Sequence, residues 1–176
     1  MSFVNLVTED QAGPELKKAY QEVKDALGFL PNYTQALGRV PALIEGHKLL
    51  TTDVMKDGAL PRMVKEQLGL VVSGINSSSY CVAIHMEILR GLGVEKPMGR
   101  TLATDYGNAP VEEKVQVLFR FADKLTRKPF DVTRADADAV LRAGWSEAAL
   151  FELAITVAIF NLYNRISIGL GLMADF

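Results

Sequence analysis

Apolar residues recur along the chain at intervals of three and four, the spacing that lines one face of an α-helix. Pro14 suits a first helical turn, and Leu16, Ala19, Tyr20, Val23 and Leu27 form a stripe that Gly28 ends. Pro31 holds Leu30 out of the helical region, so residues 29–33 read as a connector and Tyr33 to Leu37 as a short helix. Pro41 opens the next helix, with Leu43, Ile44, His47, Leu50 and Val54 on its apolar side and Asp57–Gly58 at its end. Pro61 opens another, whose apolar face carries Val64, Leu68, Val71, Val72 and Ile75. Asn76 to Ser79 are turn and cap residues that break the pattern, and a helix over about Tyr80 to Leu92 follows, ended by Gly91 or Gly93. A short helix from Pro97 to about Tyr106 is expected next, with Gly107–Asn108 as a turn. Pro110 then starts a helix bearing Val115, Leu118, Phe119, Ala122 and Leu125. Beyond the connector Pro129–Phe130–Asp131, Thr133 caps one helix and Ser146 caps the last, which runs from Glu147 towards Leu170. Trp145 anchors that last helix start, and Phe119, Phe121 and Phe151 read as core.

No stretch alternates cleanly between apolar and polar residues, and no Gly-rich or Pro-rich linker or fixed repeat divides the chain. The expected architecture is all-α: one multi-helix bundle of eight or so helices spanning residues 1–176.

Composition narrows the function. With 49% apolar and 23% charged residues, the 176-residue chain has an ordinary globular balance and is long enough to bury a core. A net charge of −2 gives no electrostatic reason to bind nucleic acid or an acidic membrane, and Lys124, Arg127 and Lys128 are too few for a basic patch. The single cysteine excludes an internal disulfide and favours a reducing compartment. Met1 to Asp10 lacks the pattern of a signal peptide. The apolar run Leu153 to Phe160, broken by Thr156, is short of the about 20 residues that span a bilayer. A cytoplasmic protein is expected. Gly169–Leu170–Gly171 ends a helix rather than opening one, so it is no nucleotide motif, and no cofactor is indicated.

The chemistry concentrates on residues 78–85. Ser78 and Ser79 cap a helix and place Cys81 in its first turn, where free N–H groups and the helix dipole favour a thiolate. His85 is four residues on and shares that face, positioned to take or return the thiol proton. If Asn76 to Ser79 reverses the chain, Glu66 of the preceding helix faces the Cys81–His85 row as a third member of a relay. Set against this, a lone cysteine or histidine on an apolar helix is more often packing. Cys81, His85 and Glu66 would also make three ligands of a metal site, but nothing else clusters with them. Asn161, Asn164, Arg165 and Ile168, at 3-and-4 spacing on the last helix, either line a pocket or an oligomer interface, or cap or bridge neighbouring helices, the last being the commoner use. His47 reads as a satisfied core histidine.

Glu66, Cys81 fifteen residues later and His85 four beyond it resemble the core motif of the alkylhydroperoxidase D (AhpD)-like family, a branch of the carboxymuconolactone decarboxylase superfamily. Residues 29–33 (FLPNY) and 160–165 (FNLYNR) look like its peroxidase-related subgroup. The resemblance implies an all-helical fold that assembles as dimers, trimers or hexamers. It also implies peroxide reduction by thiol chemistry, with Cys81 matching the peroxidatic cysteine and Glu66 and His85 the proton relay. One departure stands out: the family's resolving cysteine falls on Ser78, which forms no disulfide, so an external thiol or disulfide-reductase partner is needed. Tyr80 occupies a position where some relatives carry a relay histidine. The other functions weighed are a lactone-type acid–base enzyme using His85 and Glu66, and a non-catalytic helical oligomer whose site has decayed.

Overall fold

The computed structural model describes residues 2–175. Among them the elements are helical: α1 (Pro14–Leu27), α2 (Asn32–Leu37), α3 (Ala42–Met55), α4 (Arg62–Ile75), α5 (Ser79–Gly91), α6 (Lys96–Thr104), α7 (Glu113–Arg127), α8 (Arg134–Arg142) and α9 (Glu147–Gly169). Two short 3₁₀ turns, Tyr106–Asn108 and Pro129–Asp131, join α6 to α7 and α7 to α8. Gly28 takes the left-handed conformation and returns its N–H to Lys24, which stops α1 where the stripe ends. Ser146 accepts the Ala149 N–H, and the Asp136 carboxylate accepts from both Thr133 N–H and Oγ1.

α4 is the hub, packing against α5, α6, α7 and α9. Two of its glycines permit this closeness. A Cβ on Gly74 would lie 1.9 Å from the Ala103 carbonyl oxygen of α6, and one on Gly69 would lie 2.3 Å from the Phe160 ring of α9. α9 is long and apolar enough to cross a membrane by length and composition. Here it lies within the bundle, with Ala149, Leu153, Val157 and Phe160 in the core. Trp145 packs beside its start and donates from Nε1 to the Lys114 carbonyl.

The buried side chains fall into two clusters. The larger is built by α4, α6, α7 and α9 with parts of α5 and α8. The smaller gathers Leu16 and Tyr20 of α1, Tyr33, Ala36 and Leu37 of α2, Ile44 of α3, Tyr80 and Cys81 of α5, and Leu172.

Three expectations change. The helix expected at Pro110 begins at Glu113, because Glu112 is extended and serves as its cap. Phe151 is 68% exposed: it lies two residues, or about 200°, from buried Leu153 on the same helix, while Phe119 and Phe121 are buried. On α3 the core takes Ile44 and Met55, leaving Leu43, Leu49 and Leu50 exposed.

Candidate functional site

The site is built on the α4–α5 hairpin. Ser77 N–H returns to Gly74 O and Ser78 N–H to Ser73 O, the paired closure that ends a helix around a left-handed residue. That residue is Ser77, at φ 56°, a conformation usually left to glycine. Asn76 pins the turn to α9 by donating to Asn161 Oδ1 and Asn164 Oδ1, at 3.0 and 2.8 Å. Asn164 in turn donates to Ser73 Oγ, and Arg165 to Asn161 Oδ1. Asn161 and Asn164 therefore bridge helices, while Arg165 bonds within α9 and lines a cleft beside it. Ser78 follows the turn and caps α5 by position, although its side chain makes no capping bond.

The reversal brings Glu66 against α5. Its Oε2 lies 2.9 Å from His85 Nδ1, with both side chains largely buried, and Arg62 Nε stands 3.6 Å from its other oxygen. A carboxylate at Nδ1 fixes the proton there and leaves Nε2 as the basic nitrogen. The Phe160 ring meets His85 edge-on at 4.7 Å and holds its orientation.

Cys81 lies one turn earlier on α5 and is 6% exposed. Its Sγ lies 3.5 Å from Ser167 Oγ of α9. Ser167 also donates to the Tyr163 carbonyl at 2.8 Å. Around Cys81 stand Tyr33, Tyr80 and Tyr163. Burial holds all three phenols above their ordinary value. His47 packs behind them, 5.0 Å from the Tyr33 ring and 4.6 Å from Tyr163, and burial pushes it down to about 4. Its Nδ1 is buried without a hydrogen-bond partner, so the satisfied core histidine expected from sequence is half-buried with that nitrogen unsatisfied. Tyr80 points away from His85: its hydroxyl donates to Asp175 Oδ2 at 2.8 Å and accepts from Tyr33 N–H.

The segment after α9 folds back as a strap onto the cluster that holds Cys81. Leu172 is buried in the Cys81 cluster, and Asp175 holds the strap with Tyr80 on one oxygen and the Asn32 N–H, at 2.7 Å, on the other.

No protein-family model and no curated protein matches the chain. Solved structures do. A peroxidase-related protein from Silicibacter sp. TM1040 superposes with a TM-score of 0.92 at 24% identity, over 99% of this chain and 92% of the other. The alkylhydroperoxidase AhpD core of a peroxidase-related protein from Ralstonia eutropha JMP134 gives 0.91 at 24%, with the same coverage. The chain has the AhpD-like fold. A Cys-to-Ala form of the debrominase Bmp8, in complex with 2,3,4-tribromopyrrole, shares it with a TM-score of 0.80 at 22% identity, over 99% of this chain and 94% of that one.

Within this AhpD-like frame the structure brings Glu66 to His85 and keeps Cys81 on the same helix, while Tyr80 joins the strap and Ser78 sits buried beneath the turn. Among the described residues no group of three or more His, Cys, Asp or Glu side chains is placed to hold a metal ion. Two clefts, of about 490 and 390 Å³, are open: one by Gly74, Tyr106 and Arg120, the other, against the cluster that holds Cys81, by Leu37, Leu43, Arg165 and Ile166. Sequence reasoning missed Ser167, Asp175 and Leu172. Ser167 meets the thiol, Leu172 joins its cluster and Asp175 bonds Tyr80 only through tertiary packing, and no local pattern marks them.

Proposed function

We propose that the protein is a peroxidase-related thiol oxidoreductase in which Cys81 reduces a small organic or hydrogen peroxide. The observation that carries this reading is the buried Glu66–His85 pair at 2.9 Å, built on the helix whose first turn holds the thiol. Glu66 fixes the imidazole and leaves Nε2 free to accept the thiol proton. The Cys81 thiolate attacks the outer peroxide oxygen, the O–O bond breaks, and Cys81 becomes a sulfenic acid. The leaving alkoxide receives the proton that His85 removed, giving an alcohol. With serine at 78, resolution falls to an external thiol. It displaces water to form a mixed disulfide, and a second thiol releases Cys81 and leaves as the external disulfide. The exposed apolar side of α3 (Leu43, Leu49, Leu50) offers a surface for assembly of identical chains.

The test is cumene hydroperoxide in slight excess, followed by sulfenic-acid trapping and mass spectrometry. Modification of Cys81, together with consumption of added thiol, supports the reading. Cys81 left unmodified while free glutathione in the same tube oxidises refutes it.

A second reading is favoured by the aromatic wall of Tyr33, Tyr80 and Tyr163 about the thiol, and by the debrominase of like fold. In it Cys81 and an external thiol replace an aryl halide with hydrogen, forming a disulfide and releasing the hydrogen halide. Halide release from a brominated heteroaromatic, in the presence of thiol, distinguishes it.

A further inference from the structure

Ser78, one turn before Cys81 at the start of α5, carries a hydroxyl with nothing to do in the resting protein. The backbone of Ser78 is fully committed: its N–H goes to Ser73 O and its carbonyl accepts from Val82 N–H. Its Oγ is not. Ser78 is 1% exposed, its hydroxyl has no hydrogen-bond partner, and it makes no capping bond to the first turn of α5. A serine at a helix N-cap normally uses that hydroxyl on an N2 or N3 amide. Here the N3 residue is Cys81. A buried, unpaired hydroxyl is costly, and it stands beside an uncapped helix N-terminus that attracts negative charge. Ser167, which lies 3.5 Å from the sulfur, donates to the Tyr163 carbonyl in the resting protein. Ser78 is therefore a donor still in hand.

We propose that Ser78 Oγ–H, together with the open first turn of α5, binds the oxygen atom that Cys81 takes from the peroxide. This rests on the peroxidase reading above and adds a substrate-binding role to the position where a resolving thiol is absent. As the thiolate attacks, the outer oxygen is held by Ser78, gains its bond to sulfur and stays there as the sulfenic oxygen. The O–O electron pair leaves with the alkoxide, which takes the proton held by His85. Ser78 keeps its own proton throughout. The same donor holds the sulfenate once formed, until an external thiol attacks the sulfur and the oxygen departs as water.

The experiment compares the intact protein with Ser78→Ala in two reactions: sulfenate formation with cumene hydroperoxide, and alkylation of Cys81 by iodoacetamide. A hydrogen bond that holds the attacked oxygen in line with the sulfur predicts a loss of about ten-fold in the peroxide rate. The alkylation rate stays within about twofold, since no such oxygen is delivered, and the melting temperature is unchanged or higher because no resting hydrogen bond is removed. Thr156→Ala, which deletes another buried unpaired hydroxyl away from the thiol, leaves both rates unaltered. If Ser78→Ala reacts with peroxide as fast as the intact protein, the inference is overturned while the peroxidase reading stands. A parallel fall in both rates also overturns it, because Ser78 would then set the thiol's general reactivity. An intact protein inert to peroxide sinks the peroxidase reading itself, before any variant is made.

Discussion

Asp175→Ala should unlock the thiol. The Asp175 carboxylate accepts from Tyr80 Oη at 2.8 Å and from Asn32 N–H at 2.7 Å, and these bonds clamp a strap whose Leu172 is 5% exposed and packs in the Cys81 cluster. Hydrogen bonds to a charged acceptor contribute about 1.5–3 kcal/mol each when well shielded. Asp175 is half-buried, so losing both is worth about 2–3 kcal/mol. If the thiol reacts through local opening of the strap, that energy raises the open population, and with it the iodoacetamide rate, by about 30- to 150-fold. The assay is alkylation of Cys81 under pseudo-first-order conditions at fixed pH, with the rate in full denaturant as the ceiling. Leu172→Ala removes buried apolar surface from the same strap and should act in the same direction. A rate within threefold of the intact protein in Asp175→Ala would refute the gate. So would an intact-protein rate that tracks global unfolding across a denaturant series.

Four further outcomes follow from the geometry. His47 titrates near 4 in the fold against 6.5 when free, so the unfolded chain binds the extra proton: stability is full above pH 6.5 and falls as pH drops towards 4, by up to about 3 kcal/mol, and denaturant melts of His47→Phe should lose this slope. Lys65 is buried and donates to the Lys56 carbonyl and to Glu152, which also accepts the Ala59 and Leu60 amides; Glu152→Ala should cost about 3–5 kcal/mol, and adding Lys65→Met should recover part of that in the same melts. Gly69→Ala presses a methyl into Phe160 and should destabilise by about 1–3 kcal/mol while shifting the His85 ring resonances by NMR. Ser77→Gly relieves the left-handed residue between α4 and α5 and should raise stability by about 1 kcal/mol in thermal or denaturant unfolding.

The helices were legible because their signals are local: Pro14 and Gly28 bound α1, Thr133 with Asp136 starts α8, and Ser146 starts α9. The meeting of Glu66 and His85 was legible for a similar reason, since a short break between two amphipathic helices folds them back on one another. Which side of a helix faces the bundle was harder. The stripe on α3 includes Leu43 and Leu50, yet few elements pack against α3, so its apolar side is left exposed; Phe151 fails for want of a neighbour in the same way. The contacts that close around the thiol from α9 and the strap were not legible. Ser167 and Asp175 are distant in sequence, and their contacts exist only once α9 has docked.

The smaller cluster is sealed by contacts between opposite ends of the chain. Phe3 N–H bonds Leu170 O, and Asn32 meets Asp175 across 143 residues. Loops of that length close late, since their entropy is spent before the contact returns anything. During synthesis Cys81 is therefore made, and its helix formed, well before its cover exists. The nascent protein carries an open thiol, and the finished one a shielded thiol. Oxidant exposure at the ribosome and in the mature protein should leave different marks on the same residue.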